Sequence, residues 1–172
     1  MGILDKILLK SKKSQLPYCE PLTVFAPVSG EVIPLHDFPD LVFGEGVLGP
    51  GCGILPSEMR IVAPFNSTVI QVPDTKHAVG LRSEDGIELL IHVGVNTVEM
   101  NGEGFSSHLK EGQKVRLGEE LISFDREAIR SAGYSDAIAV VVTNINTFAG
   151  IEILADGLVT AGSSLFKIRK KN

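Results

Sequence analysis

From Leu22 onward the apolar residues come in short runs, each closed by glycine or proline, of which the chain holds 18 and 9. Proline removes a backbone donor and glycine costs entropy inside a helix, so a chain cut this often has no room for long helices. The runs read as strands at Leu22–Ala26, Glu31–Pro34, Arg60–Ala63, Thr68–Val72, Ala78–Arg82, Glu88–Val93, Lys114–Val115, Glu120–Asp125, Ala137–Thr143 and Leu165–Arg169. Their spacing and turn-rich connections predict an all-β sandwich or barrel. Helical turns are expected only at Arg126–Ala132 and Ser106–Glu111. A quasi-repeat, Ala26-Pro27-Val28-Ser29-Gly30 and Ala63-Pro64-Phe65-Asn66-Ser67, reads as a turn feeding a strand. Gly30 is expected to supply a positive φ in the first copy. In the second, either the turn type differs or Asn66 takes the left-handed residue.

Charge divides the chain. The net charge is −5 over 172 residues. Residues 1–14 carry +3 and residues 167–172 carry +4, whereas residues 15–166 hold 8 basic and 20 acidic residues. An acidic body lacks the cationic face of a nucleic-acid binder and suits a basic protein partner. Cys19 and Cys52, the only cysteines, form no disulfide framework and no CxxC. No apolar run approaches the roughly 20 residues of a membrane helix, and no signal peptide is visible, so a cytoplasmic location is expected. Ile3, Leu4, Ile7 and Leu8 recur as one face of a short amphipathic helix with lysines opposite. Residues 1–15 therefore read as an amphipathic segment and linker, with weak peripheral membrane contact through residues 1–14, ahead of a single domain over residues 16–172.

Residues 44–49 match GxGxxG, but Pro50 and the β-rich context deny the helix that a dinucleotide site needs, and Glu45 would repel a pyrophosphate. A turn-forming loop is the better reading. The histidines are more informative. Alternation in Glu88–Val95 puts Leu89, Ile91, Val93 and Val95 on one face and Glu88, Leu90, His92 and Gly94 on the other, with Gly94 leaving space over the imidazole. A hairpin turn at Glu84-Asp85-Gly86 folds Ala78–Arg82 back against that strand. His77 and His92 then fall on neighbouring positions, with Thr75 close by, in a polar pocket within an apolar wall. Such a pair suits a nucleophile and an anion stabiliser.

The segment from Gly86 through Glu88-Leu89-Leu90-Ile91-His92-Val93-Gly94-Val95-Asn96 to Phe105 resembles the active-site signature of the glucose-type IIA component of the bacterial phosphoenolpyruvate:sugar phosphotransferase system. Asp74-Thr75-Lys76-His77-Ala78 is similar to the segment carrying that family's second histidine, and the likeness runs from about Leu22 to Arg169. It implies an antiparallel β-sandwich with Greek-key-like connections. It implies that His92 takes a phosphoryl group on Nε2 from phospho-HPr and passes it to a cysteine of a transporter IIB domain, for glucose or a related sugar. By the same resemblance His77 donates a hydrogen bond to the phosphoryl oxygens and Thr75 orients His77. Val42, Phe43, Leu90 and Val98 are expected as an apolar docking rim, with Asp40 at its edge facing an HPr arginine. Asn96 stands in place of the usual aspartate, Pro73 where an aromatic is found in enteric members, and Lys76 adds a charge beside His77.

Two other functions are weighed. As a regulatory binding protein, the chain would control permeases or kinases by its phosphorylation state. No cofactor is required for either role, although zinc on His77 and His92 could be completed by a partner's ligands, since two histidines are too few for tetrahedral zinc. A zinc peptidase would need a close HxH pair, which the sequence lacks.

Overall fold

The computed structural model describes residues 19–172, so the amphipathic segment of residues 1–15 lies outside the described residues. All paired strands are antiparallel. The largest sheet runs β13-β2-β3-β11-β7-β6-β5-β9, with β2 Gly30–Pro34, β3 Gly51–Pro56, β5 Ser67–Gln71, β6 Ala78–Ser83, β7 Glu88–Val93, β9 Lys114–Val115, β11 Ile138–Val142 and β13 Gly157–Val159. Two three-stranded sheets complete the sandwich. One orders β1 Thr23–Phe25, β14 Ser164–Arg169 and β12 Gly150–Ile153; the other orders β4 Arg60–Val62, β10 Glu120–Phe124 and β8 Phe105–Ser106. The non-sequential neighbours β3, β11 and β7 mark long crossovers of the Greek-key kind.

Between the sheets lies one large core. The inner faces of β7 and β11 send Leu89, Ile91, Val93, Ile138, Val140 and Val142 into it, against Ile61, Ile122, Phe124, Phe166 and Ile168 from the smaller sheets. The opposite face of the same strands carries a second, smaller apolar cluster of Phe38, Phe43, Ala137, Ala139 and Val141, with Ile33, Leu35, Leu90 and Val95 packed against it. Every residue of β11 is therefore buried, as expected of a central strand covered on both faces. Among the described residues no helix is long and apolar enough to cross a membrane.

Several local expectations change. The segment after the GxGxxG match forms β3, and its glycines serve close packing: a Cβ on Gly53 would lie 2.7 Å from Phe38 Cδ2 and 2.8 Å from Ile33 Cγ1. A short helix α1, Leu41–Gly44, precedes it, capped by Asp40, whose side chain accepts a hydrogen bond from Val42 N–H at 2.8 Å. Ser106–Glu111 is not a helical turn; Ser106 ends β8 and the rest is loop. The helical turn at Arg126–Ser131 is present as α2, capped by Asp125. Gly30 does not have a positive φ. It is needed because a Cβ there would meet the Leu55 carbonyl oxygen at 2.1 Å. Nor is Asn66 left-handed; its Oδ1 accepts from Leu117 N–H at 2.8 Å, so neither copy of the repeat uses a left-handed residue at its turn.

Candidate active site

The hairpin Ser83–Ile87 sets the register that brings the two histidines together. Ser83 N–H donates to the Ile87 carbonyl at 2.8 Å, and β6 then pairs with β7 so that Ala78 stands opposite His92. Val93 N–H donates to the His77 carbonyl at 2.7 Å, which ties the residue just before β6 to the end of β7. The imidazoles meet nearly edge to face, with ring centroids 4.9 Å apart and planes at 80°.

His92 sits in a row of small residues. Across the outer face the register reads Ile33, Gly53, Ala139, His92, Ala78. Three of its four neighbours in that row are glycine or alanine, so the ring occupies a shallow depression instead of competing for space. The depression is walled by α1: the Phe43 ring lies 5.0 Å from the His92 ring, and Phe38 packs on Phe43 edge to face at 5.5 Å. Gly53 allows Phe38 to settle on the sheet, so a glycine in β3 supports the phenylalanine that touches His92.

Hydrogen bonds decide which nitrogen can react. His92 Nδ1 lies 2.8 Å from the Gly94 carbonyl oxygen. A carbonyl only accepts, so Nδ1 carries the proton and Nε2 of the neutral ring carries the lone pair. Gly94 has a φ of 82°, and a Cβ on it would strike Thr97 Cγ2 at 2.3 Å and the Ser135 carbonyl oxygen at 2.9 Å. Its role is therefore to bend the chain and present its carbonyl to Nδ1, not to leave space over the ring. The same bend turns Val95 to the outer cluster instead of continuing the inner row. His77, only 7% exposed, has Nδ1 2.7 Å from Thr75 Oγ1.

Both rings are neutral at pH 7. Burial first, and the neighbouring His92 second, together lower the His77 pKa to about 4. Burial also lowers that of His92, opposed by its hydrogen bond to Gly94 and by the nearby Asp40 carboxylate. Asp40 thus caps α1 and biases the His92 charge at once.

The expected rim is only partly exposed. Val42 on α1 is 46% exposed and Val98, on the 3₁₀ turn Thr97–Met100 after β7, is 47% exposed. Leu90 is half-buried, and Phe43 is buried as the wall of the depression rather than its rim. Leu41, which the sequence reading passed over, is the most exposed of the group at 77%. Asn96 is exposed and left-handed with a φ of 60°, a conformation that asparagine tolerates, and Lys76 is left-handed at 56°. Pro73 closes the turn in front of His77 through the bond from Lys76 N–H to its carbonyl at 2.9 Å. The other histidines, His36 and His108, are exposed. Burial pushes the Cys52 thiol up to about 12, which leaves it inert as a nucleophile. Among the described residues no group of three His, Cys, Asp or Glu could hold a metal ion, so the histidine pair offers an incomplete donor set.

Phe38, Gly53 and the Gly94 carbonyl were missed from sequence. The aspartate cap at Asp40 followed by Leu41-Val42-Phe43 is a signal for the helix start of α1, but it does not point to Phe38 or Gly53, whose roles are tertiary.

The site is thus a pair of neutral imidazoles on the outer face of an antiparallel sandwich, beside an apolar rim. The model of the EIIA 1 family of the phosphoenolpyruvate-dependent sugar phosphotransferase system matches residues 22–148, and the chain belongs to that family. Among solved structures it is similar to glucose permease IIA from Mycoplasma capricolum, with 32% identity and a TM-score of 0.80, covering 84% of this chain and 94% of that one. The chain is thus a phosphocarrier component of a sugar phosphotransferase system.

Proposed function

We propose that His92 is the phosphoryl acceptor, that phospho-HPr is the donor, and that a cysteine of a transporter IIB domain receives the group, for glucose or a related sugar. The observation that carries this reading is the bond from His92 Nδ1–H to the Gly94 carbonyl, which leaves Nε2 as the free nucleophile. In the first step the Nε2 lone pair attacks phosphorus, a new N–P bond forms, and the donor's N–P bond breaks with its electron pair returning to the donor imidazole. Little covalent work is needed of the protein; positioning and charge stabilisation suffice. The proton stays on Nδ1, hydrogen-bonded to the Gly94 carbonyl, which steadies the positive charge that the ring acquires. His77, with Nδ1 accepting from the Thr75 hydroxyl, keeps its proton on Nε2 and donates a hydrogen bond from there to the phosphoryl oxygens. In the second step a cysteine thiolate attacks the same phosphorus and the N–P bond to His92 breaks.

The exposed side chains Leu41, Val42 and Val98 supply an apolar landing for both partners, and the acidic body attracts a basic carrier. Asp40 meets the carrier's arginine from the edge. A regulatory role toward permeases or kinases would use this same surface. There a partner that brings two further ligands completes a zinc site on His77 and His92. A cytoplasmic location, with peripheral membrane contact through residues 1–14, fits such partners.

The test is reconstitution with phosphoenolpyruvate, enzyme I and HPr. An acid-labile phosphoryl group is expected on the wild-type chain and none on His92→Ala. His77→Gln is expected to accept the group but to deliver it to the IIB domain at least about a hundredfold more slowly, as befits a charge-stabilising donor. Full phosphorylation of His92→Ala removes the assignment, and normal delivery by His77→Gln removes His77 from the mechanism.

A further inference from the structure

The acidic body has eight basic residues among residues 15–166, and three of them converge on one pocket far from the histidines. The pocket, of about 570 Å³, lies at the β9 edge of the large sheet and is lined by Arg82, Lys114, Arg116, Thr68, Asn66 and Glu84 among others. Register explains the convergence. Thr68 pairs with Arg82 on one side and with Lys114 on the other. Val69 and Leu81, the next residues along, are fully buried on the inner face, so Thr68 and Arg82 point outward. The two cations flank the threonine hydroxyl from strands about 10 Å apart, within reach of a single group seated over Thr68.

The surrounding contacts hold this arrangement. Asn66 Oδ1 accepts from Leu117 N–H at 2.8 Å, which leaves the NH₂ end of the amide as its remaining face. Glu119 Oε2 accepts from Arg116 N–H at 2.9 Å and fixes the turn that carries Arg116. Arg82 also bonds Glu88 at 2.9 Å. Neither Lys114 nor Arg116 has an ion-pair partner among the described residues. Of the body's other cations, Arg126 and Arg130 both bond Asp136, at 2.9 and 3.0 Å, and Arg60, Lys76 and Lys110 have no ion pair among the described residues. Gathering three cations of an acidic protein into one concavity costs mutual repulsion, which an anion relieves.

We propose that this pocket binds a small phosphate ester. Its volume falls in the range of small-molecule sites and is too confined for a folded partner. Arg82, Lys114 and Arg116 against Glu84 and the Arg82-bound Glu88 leave a net positive charge at the lining, which an anion offsets. Guanidinium, ammonium, hydroxyl and amide donors approach from several directions, which suits a tetrahedral anion better than a flat carboxylate. The site is separate from the phosphoryl acceptor: Arg82 lies four residues along β6 from Ala78, the partner of His92, or about 13 Å.

The test is a titration of the isotope-labelled full chain with glucose 6-phosphate, inorganic phosphate and glucose at constant ionic strength, read from backbone amide resonances. Saturable shifts at residues 66–68, 82–84 and 114–116 are expected with both phosphates and not with glucose. The double variant Lys114→Gln/Arg116→Gln, two exposed substitutions that leave the core intact, is expected to weaken binding at least about tenfold. The proposal is overturned if those amides do not saturate, if the double variant binds as well as wild type, or if inorganic phosphate binds and the ester does not.

Discussion

The two faces of the eight-stranded sheet use the same strands for opposite purposes. On the inner face of β7, Leu89, Ile91 and Val93 are at most 1% exposed and fill space. On the outer face, Leu90 and His92 are half-buried, and their cross-strand neighbours are Ala78, Gly80, Ala139 and Val141. The inner face is specified by volume and the outer face by its scarcity. Small residues around His92 keep its ring reachable without burying it under larger neighbours, and two phenylalanines from outside the sheet close one side. The core and the proposed site are thereby separated by a single residue step along one strand.

The sharpest way to break this comparison is to shorten one side chain on each face. Ile91→Ala removes a fully buried side chain from the main core and is expected to cost about 2–5 kcal/mol. Leu90→Ala, half-buried beside the histidines, is expected to cost roughly 1–2 kcal/mol, while phosphoryl transfer slows through poorer docking. Chemical denaturation and the reconstituted assay measure the two quantities. Equal destabilisation by the two variants, with equal activity, would erase the distinction between the faces.

Much of this was legible in the sequence. The ten strands read from the sequence all coincide with observed ones to within a few residues, because a short apolar run closed by turn residues carries its own signal. The hairpin at Glu84-Asp85-Gly86 was enough to place His77 beside His92. The strands that were missed, β3, β8, β12 and β13, lack that signal. β3 contains Gly51 and Gly53, whose value lies in what another strand or ring needs from them, and that is a tertiary fact. β12 and β13 carry exposed residues such as Ile153 and Leu158, so their pattern does not alternate with burial. The bond from His92 to the Gly94 carbonyl was equally invisible, since it depends on the left-handed turn taken by a glycine.

A subtler break targets the outer face through its support. Gly53→Ala adds one methyl group 2.7 Å from Phe38 Cδ2 and 2.8 Å from Ile33 Cγ1. Overpacking of this kind costs roughly 1–3 kcal/mol, and the rings that must yield are Phe38 and then Phe43, the wall of His92. Phosphoryl acceptance is expected to slow severalfold although the substitution touches neither histidine. If the variant is destabilised yet transfers at the wild-type rate, the phenylalanine wall has no part in positioning the ring.

The smallest effect is expected from pH, and its sign follows from which state holds more protons. The folded chain keeps the His77 pKa near 4, below the ordinary 6.5, chiefly because burial disfavours the charged ring. Between those values the unfolded chain binds the proton and the folded chain does not. This residue's contribution is therefore fully present above pH 6.5 and lost progressively as pH falls toward 4. His92, also lowered by burial, adds in the same direction, with the Asp40 carboxylate opposing it. Carboxylates titrate in the lower part of that window, so the informative quantity is the difference between wild type and His77→Gln, followed by denaturation from pH 7 to 5. Wild type is expected to lose more stability than the variant across that interval. Parallel profiles would mean that His77 is no harder to protonate in the folded chain than in the unfolded one. The face that holds the chemistry would then carry no electrostatic cost of its own, and the contrast with the inner face would reduce to packing.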